Sequence, residues 1–220
     1  MEKGYTIQVL DHGYVRYIDH YGSDERILEA ARISYKSPSK GEEQDKKLLS
    51  YLYKMRHTSP FEQCGITFNI KLPLFVQGQM VRHRTQKLNQ DSARYTEMSD
   101  ELYIPAIWRK QDAKNKQGST GGFDGDTNFA YVDCLRRHCE ESYNIYQSLI
   151  NGGVAREMAR MILPQNLYTE IYSNWDLHNL MHFFTLRLEK HAQWEIQLCM
   201  RFFLNYIRGV RKHIINFHGN

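Results

Sequence analysis

Four cysteines are all that 220 residues contain, and Cys64, Cys134, Cys139 and Cys199 are spaced for neither a zinc ribbon nor a dense secreted framework. They read as reduced thiols of a cytoplasmic protein, serving packing rather than chemistry. Long apolar runs are missing too. Nowhere do about 18 hydrophobic residues follow one another, which excludes a membrane-spanning helix, and no membrane partner is expected. Met1-Glu2-Lys3-Gly4-Tyr5 has no basic stretch leading into an apolar one, so no secretory leader is expected. Charge of one sign is also scarce: 29 Lys+Arg against 25 Asp+Glu leave a net +4, mild and scattered. What remains is an ordinary globular composition, 41% hydrophobic and 25% charged, long enough to bury a core without disulfides or structural metal. The length suits one sizeable domain or two small ones, and with no repeat and no clear linker a single domain over residues 1–220 is expected. Fifteen tyrosines and ten phenylalanines suit a protein that stacks on flat rings, and equally a well-filled core.

The patterning predicts a helix-rich α+β domain with a modest, mainly antiparallel sheet. Thr6–Leu10 and Tyr14–Ile18 read as strands around an Asp11-His12-Gly13 turn. Ser23-Asp24 caps a helix to about Ile33, and Glu42–Met55 forms a second, ended by Ser59-Pro60. Gly65–Lys71 alternates as a half-buried strand. Pro73 opens a helix through about Arg84, after which Asp91–Thr96 turns extended. The stretch Gln111–Asn128 holds Gly118-Ser119-Thr120-Gly121-Gly122 but no Gly-Lys-Ser/Thr ending, so it is a solvated surface loop or disordered insertion, not a phosphate cradle. A long helix then shows Phe129, Val132, Leu135, Cys139, Tyr143, Tyr146 and Leu149 on one face and ends at Gly152-Gly153. A short helix from Val154 to Leu163, a strand over Asn166–Trp175 and an Asp176-capped helix follow. The last helix starts near Ala192, with Ile196, Met200, Phe203, Ile207 and Val210 as its core face.

Chemistry concentrates in Arg82-His83-Arg84, followed by Asn89, Ser92, Arg94 and Tyr95. Adjacent cationic groups at a helix end repel one another, so folding alone does not select them. On a helix Arg82 and Arg84 point roughly 200° apart and can face two anions. On an extended segment Ser92 and Arg94 share a face, a hydroxyl beside a fork of N–H donors that suits a phosphate. Arg160 and Arg187 sit among apolar residues. Each either receives an anion or pairs internally with Glu157, Glu189 or Glu195. His178 and His182, four apart, have the spacing of zinc ligands, but no third ligand is evident and no metal is expected; two imidazoles lining a groove is the preferred reading. Ser92 has no base at a suitable spacing, so it is read as a phosphate donor rather than a nucleophile.

The run R-H-R-T-Q-K-L-N-Q-D-S-A-R-Y resembles the signature of flavin-dependent thymidylate synthases, in which R-H-R precedes Ser-x-Arg-Tyr. S-P-F-E at Ser59–Glu62, A-R-M-I-L-P at Ala159–Pro164 with N-L-Y-T after it, and L-R-L-E-K-H-A-Q-W-E at Leu186–Glu195 support it, in the family's order. The resemblance implies a homotetramer with FAD and dUMP sites shared between subunits. It implies one-carbon transfer to dUMP from methylenetetrahydrofolate, with flavin hydride and NADPH as reductant. It places FAD against His57, Ser59, Arg82, His83, Arg84, Gln90, Asp176, Leu177, His178 and His182. It places dUMP against Gln79, Met80, Val81, Arg82, Gln90, Asp91, Ser92, Ala93, Arg94 and Arg160, with Arg187 as the catalytic group at the uracil ring. Lys87 and Gln90 depart from the family's usual Ser and Glu, and Asp176 and His178 from its frequent Asn and Arg. On an extended segment Asp91 would point away from Gln90.

Uracil carbon 6 accepts hydride poorly unless negative charge spreads through the ring carbonyls. A desolvated guanidinium at the O2–N3 edge supplies that electrostatic help. Two other readings stay open on sequence: a nucleotide or single-stranded nucleic-acid binding module, using arginines and tyrosines on phosphates and bases, and a flavin reductase without methyl transfer. The synthase reading carries no nucleic-acid partner.

Overall fold

The computed structural model describes residues 2–200. In chain order its strands are β1 (Thr6–Val9), β2 (Gly13–Tyr21), β3 (Gly65–Pro73), β4 (Lys87–Gln90), β5 (Arg109–Gln111), β6 (Ser119–Gly122) and β7 (Tyr168–Asp176). Its α-helices are α1 (Asp24–Arg32), α2 (Glu42–Lys54), α3 (Ser59–Glu62), α4 (Leu74–Met80), α5 (Gly125–Asn151), α6 (Arg156–Ala159) and α7 (Leu177–Arg187), with one 3₁₀ turn at Arg160–Ile162. Five strands form one sheet in the order β1-β2-β3-β7-β4, every neighbouring pair antiparallel. The α+β class and antiparallel character expected from the sequence are therefore present.

The hairpin β1–β2 turns where Asp11-His12-Gly13 was expected to turn. Gly13 is required there, because a Cβ would stand 2.7 Å from the Val9 carbonyl oxygen and 2.8 Å from that of Lys71. Alternation on β3 buries Phe68, Ile70 and Leu72. Asn69, on the opposite face, is buried as well, its amide donating to Glu170 Oε1 at 2.9 Å and its carbonyl accepting the Tyr14 hydroxyl at 3.1 Å. On β7 the same period of two sends Thr169, Ile171, Ser173 and Trp175 inward. Against this sheet α7 packs Leu177, Leu180, Phe183 and Phe184, and Phe183 stacks on Trp175 with centroids 4.7 Å apart. Ser23 caps α1 and Asp176 caps α7, the latter accepting the Asn179 N–H at 2.9 Å. Among the described residues no helix is long and apolar enough to cross a membrane.

Several expected boundaries move. The helix opened by Pro73 ends at Met80, not Arg84, so the R-H-R run lies in turns beyond it. Residues 87–90, left unassigned by the pattern, are an edge strand, β4, bonded to β7. The segment Asp91–Thr96 curls instead of extending: the Tyr95 and Thr96 N–H groups both reach the Ser92 carbonyl, at 3.0 and 3.2 Å. Ser59-Pro60 starts a short helix of its own, α2 having stopped at Lys54 with Arg56 at a left-handed φ of 54°. The surface loop expected over 111–128 contains half of the β5–β6 hairpin and the first turn of α5, capped by Asp124. The expected helix from Val154 to Leu163 divides into α6 and the 3₁₀ turn. Of the last predicted helix, residues 194–200 are helical with Ile196 and Met200 buried, while Phe203, Ile207 and Val210 lie outside the described residues.

Candidate active site

The C-terminal turn of α7 brings Arg187 against the end of α4. Its Nε–H donates to His83 Nε2 at 2.9 Å, Nη1 to Gln79 Oε1 at 3.0 Å, and Nη2 to the Gln79 carbonyl at 3.2 Å. All three acceptors are uncharged. The acids proposed as its internal partners are used elsewhere: Glu195 takes Arg109, Glu157 takes Arg94, and Glu189 faces His191. Burial lowers the Arg187 guanidinium from its ordinary value, though it stays cationic. The result is a half-buried cation held by neutral groups, which leaves its charge to act on a ligand.

Accepting at Nε2 requires His83 to be neutral, with its proton on Nδ1. The ring sits edge-on to Phe183 with centroids 4.6 Å apart. Burial first, then the charges of Arg187 and His182, push this imidazole from 6.5 down to about 4. A histidine that is neutral when folded and protonated when unfolded adds stability that is complete above 6.5 and lost as pH falls toward about 4. Thermal denaturation across that window should therefore show the parent losing its stability advantage over His83→Gln as the solution is acidified. A constant difference between the two proteins would refute the assignment.

Beside His83 opens a cleft of about 790 Å³ between α2, α3 and α7. Leu52, Phe61 and Met181 give it an apolar floor, and His57, His178 and His182 line it with ring nitrogens. His182 lies 6.5 Å from His83, centroid to centroid, and so links the cleft to the Arg187 cup. A second cleft of about 490 Å³, between α1 and α2, shares His57 and adds Ser59. Arg82 and Arg84 are exposed, and among the described residues neither forms an ion pair. Two candidates from sequence are turned inward: Leu177 packs in the core, and both Asp176 oxygens are taken by Asn179, one by its N–H and one by its side-chain amide. Met80 is also buried, while Val81 is exposed. An apolar floor with donors at its rim and free guanidiniums nearby fits a flat, anionic group such as FAD. Among the described residues no cluster of three metal-ligating side chains occurs.

A second group gathers around Glu157. Arg94 pairs with its carboxylate at 3.1 Å, and Arg160 Nε donates to its carbonyl at 3.3 Å. Both Arg94 and Glu157 side chains are more than half exposed, so this is a surface pair of small worth that an incoming phosphate can displace. Ser92 stands in the same turn, its hydroxyl accepting the Arg94 N–H at 3.3 Å, and Ala93 packs beneath. Gln90 donates to Thr169 Oγ1 at 2.9 Å and accepts from Gln77 at 3.1 Å. Asp91, expected to point away, accepts from the same Thr169 hydroxyl. Sequence reasoning missed Thr169, although the alternation along β7 marks it as an inward position. No hydrogen bond or ion pair among the described residues joins Ser92, Arg94 or Arg160 directly to Arg187, Gln79 or His83. Nothing in the structure explains Lys87, which is exposed on β4.

An antiparallel sheet with helices against it places one arginine, Arg187, on neutral acceptors beside a cleft lined by histidines and Phe61, a site whose chemistry suits an anionic, ring-bearing ligand. The chain belongs to the thymidylate synthase complementing protein family, whose model matches residues 16–210. It is 48% identical over 197 residues to a flavin-dependent thymidylate synthase of Thermus thermophilus, spanning 90% of this chain and 72% of that one. The corresponding enzyme of Wolbachia pipientis wMel is 45% identical over 203 residues, 91% of this chain and 72% of the relative. Among solved structures, the UMP/dUMP methylase PolB from Streptomyces cacaoi, bound with 5-Br UMP, superposes with a TM-score of 0.81 at 30% identity over 92% of both chains. The same methylase bound with 5-Br dUMP gives a TM-score of 0.82 at 29% identity.

Proposed function

We propose that this chain is a flavin-dependent thymidylate synthase that converts dUMP to dTMP, with methylenetetrahydrofolate as one-carbon donor and NADPH as reductant. The observation that carries the reading is the Arg187 cup: a half-buried guanidinium held by the neutral Gln79 and His83 instead of an acid. At the O2–N3 edge of uracil this cation stabilises the negative charge that hydride addition spreads into the ring carbonyls, and so makes carbon 6 receptive. FAD bound here and reduced by NADPH would supply the hydride that carbon 6 accepts. The chain's own part is to bind, orient and exclude water. His57, Ser59, His178 and His182 hold the flavin in the cleft, with Arg82, His83 and Arg84 at its edge, and Leu52 and Phe61 keep solvent from its face. Ser92, Arg94 and Arg160 take the nucleotide phosphate, and binding energy gained there positions the ring. Gln79 orients Arg187 and borders the nucleotide.

The reading carries with it the family's assembly, a cytoplasmic homotetramer in which the sites are shared between copies; the lack of any direct hydrogen bond or ion pair between the two groups of residues within the described chain is compatible with that sharing. The direct test is to titrate the FAD-loaded protein with dUMP while following the flavin spectrum. A saturable spectral change, with NADPH oxidation stimulated by dUMP and dTMP formed, supports the reading. A protein that cannot take up FAD, or that oxidises NADPH without making dTMP, overturns it. In the same assay Arg94→Ala should raise the dUMP Kd by about tenfold or more, the worth of a charge-assisted phosphate contact, with FAD uptake retained.

A further inference from the structure

Gln86 lies in the loop that carries Arg82, His83 and Arg84, yet its side chain turns inward and is engaged at both ends. Nε2 donates to the Met80 carbonyl at 2.8 Å, and Oε1 accepts the Ser173 hydroxyl at 2.7 Å. Met80 ends α4, and its carbonyl is one of those a helix C-terminus leaves without an intrahelical partner. The His83 N–H reaches the same oxygen at 2.9 Å, so both lone pairs are filled. Ser173 is fully buried on β7, opposite Leu88 of β4. One amide therefore ties the end of α4, an inner strand and the start of β4 across the loop. The span it closes, 80–86, contains His83, and Gln79 in the last turn of α4 immediately precedes it; these are the two residues that hold Arg187.

We propose that Gln86 is a positioning residue: its two hydrogen bonds fix the 80–86 loop so that His83 and Gln79 hold Arg187 in its binding-competent place. This rests on the functional reading above, in which that loop meets FAD and dUMP, and adds a residue that acts through the loop. Without the amide the loop samples positions in which His83 leaves Arg187. Only the competent fraction binds ligand, so apparent affinity falls by that fraction. The loss of Gln86 also leaves the Ser173 hydroxyl buried without its acceptor, which costs stability. The two consequences are separable, because Ser173→Ala removes the orphaned hydroxyl without restoring the tether.

The experiment compares the FAD-loaded parent, Gln86→Leu, Gln86→Leu/Ser173→Ala and Gln86→Asn, whose amide is one methylene too short to span both partners. Thermal melts, dUMP titrations and steady-state kinetics are measured on each. Expected are a dUMP Kd and KM about tenfold higher in every variant that folds, with kcat changed less than about threefold. The double variant should regain part of the melting temperature lost by Gln86→Leu while its affinity stays weak. Parent-like dUMP affinity in the double variant or in Gln86→Asn overturns the proposal. So does a fall in kcat at constant KM, the mark of a smaller folded fraction. A parent that binds neither FAD nor dUMP overturns the functional reading itself, which keeps the two failures apart.

Discussion

Replacing Arg187 by Ala should lower the rate of dTMP formation by about 10²–10³-fold, the usual consequence of deleting one preorganised donor to a developing oxyanion. The variant should still take up FAD, because the cleft lined by His57, His178 and His182 does not depend on the guanidinium. The structural consequences are local. Gln79 and His83 lose their donor, and His83, relieved of a neighbouring cation, should protonate at a higher pH. Arg187→Lys should recover only a small part of the activity, since one ammonium cannot reproduce the fork that reaches His83 Nε2, Gln79 Oε1 and the Gln79 carbonyl together. Single-turnover formation of dTMP on FAD-loaded protein measures the effect free of product release. Turnover within threefold of the parent would remove Arg187 from the chemistry.

How far the sequence could be read follows from what each signal encodes. Strands β1, β2, β3 and β7 and helices α1, α2, α5 and α7 were legible because burial imposes a period on their side chains, and Ser23 and Asp176 announce caps. Edge strand β4 has no such period: Lys87 and Asn89 are exposed and Leu88 and Gln90 only half-buried, so pairing with β7, not pattern, makes it a strand. The same limit applied at α4. Nothing in Val81-Arg82-His83-Arg84 forbids a helix; the chain leaves the helix at Met80, where the Gln86 amide and the His83 N–H take its last carbonyl. Arg187 was marked by a charge among hydrophobes, but whether its partner was an acid or a ligand was a question of three-dimensional neighbours. Gln86 left no local signal, because both of its partners, Met80 and Ser173, are defined only by the fold.

Arg109→Ala should destabilise the protein by about 3 kcal/mol or more, the penalty for leaving a buried carboxylate without its cation. The Glu195 side chain is 4% exposed and receives Arg109 Nη2 on both oxygens, at 2.8 and 3.0 Å. The guanidinium also lies over the Trp194 ring, 5.1 Å from its centroid, and the Tyr103 hydroxyl, pushed upward by burial and by Glu195, reaches the same carboxylate at 3.5 Å. Arg109 opens the β5–β6 hairpin, so this pair pins the hairpin onto the segment that follows α7, eight residues beyond Arg187. Burial makes it unlike the exposed pair of Arg94 and Glu157, whose loss should cost little stability. In Arg109→Ala/Glu195→Leu no charge is stranded, and much of the lost stability should return. Urea unfolding of the parent and both variants measures these differences, and a loss below about 1 kcal/mol for Arg109→Ala would show that water reaches Glu195. Because the pinned segment continues from α7, Arg109→Ala should also weaken dUMP binding, and the double variant should regain both properties together if the pin holds Arg187 in place through packing rather than charge.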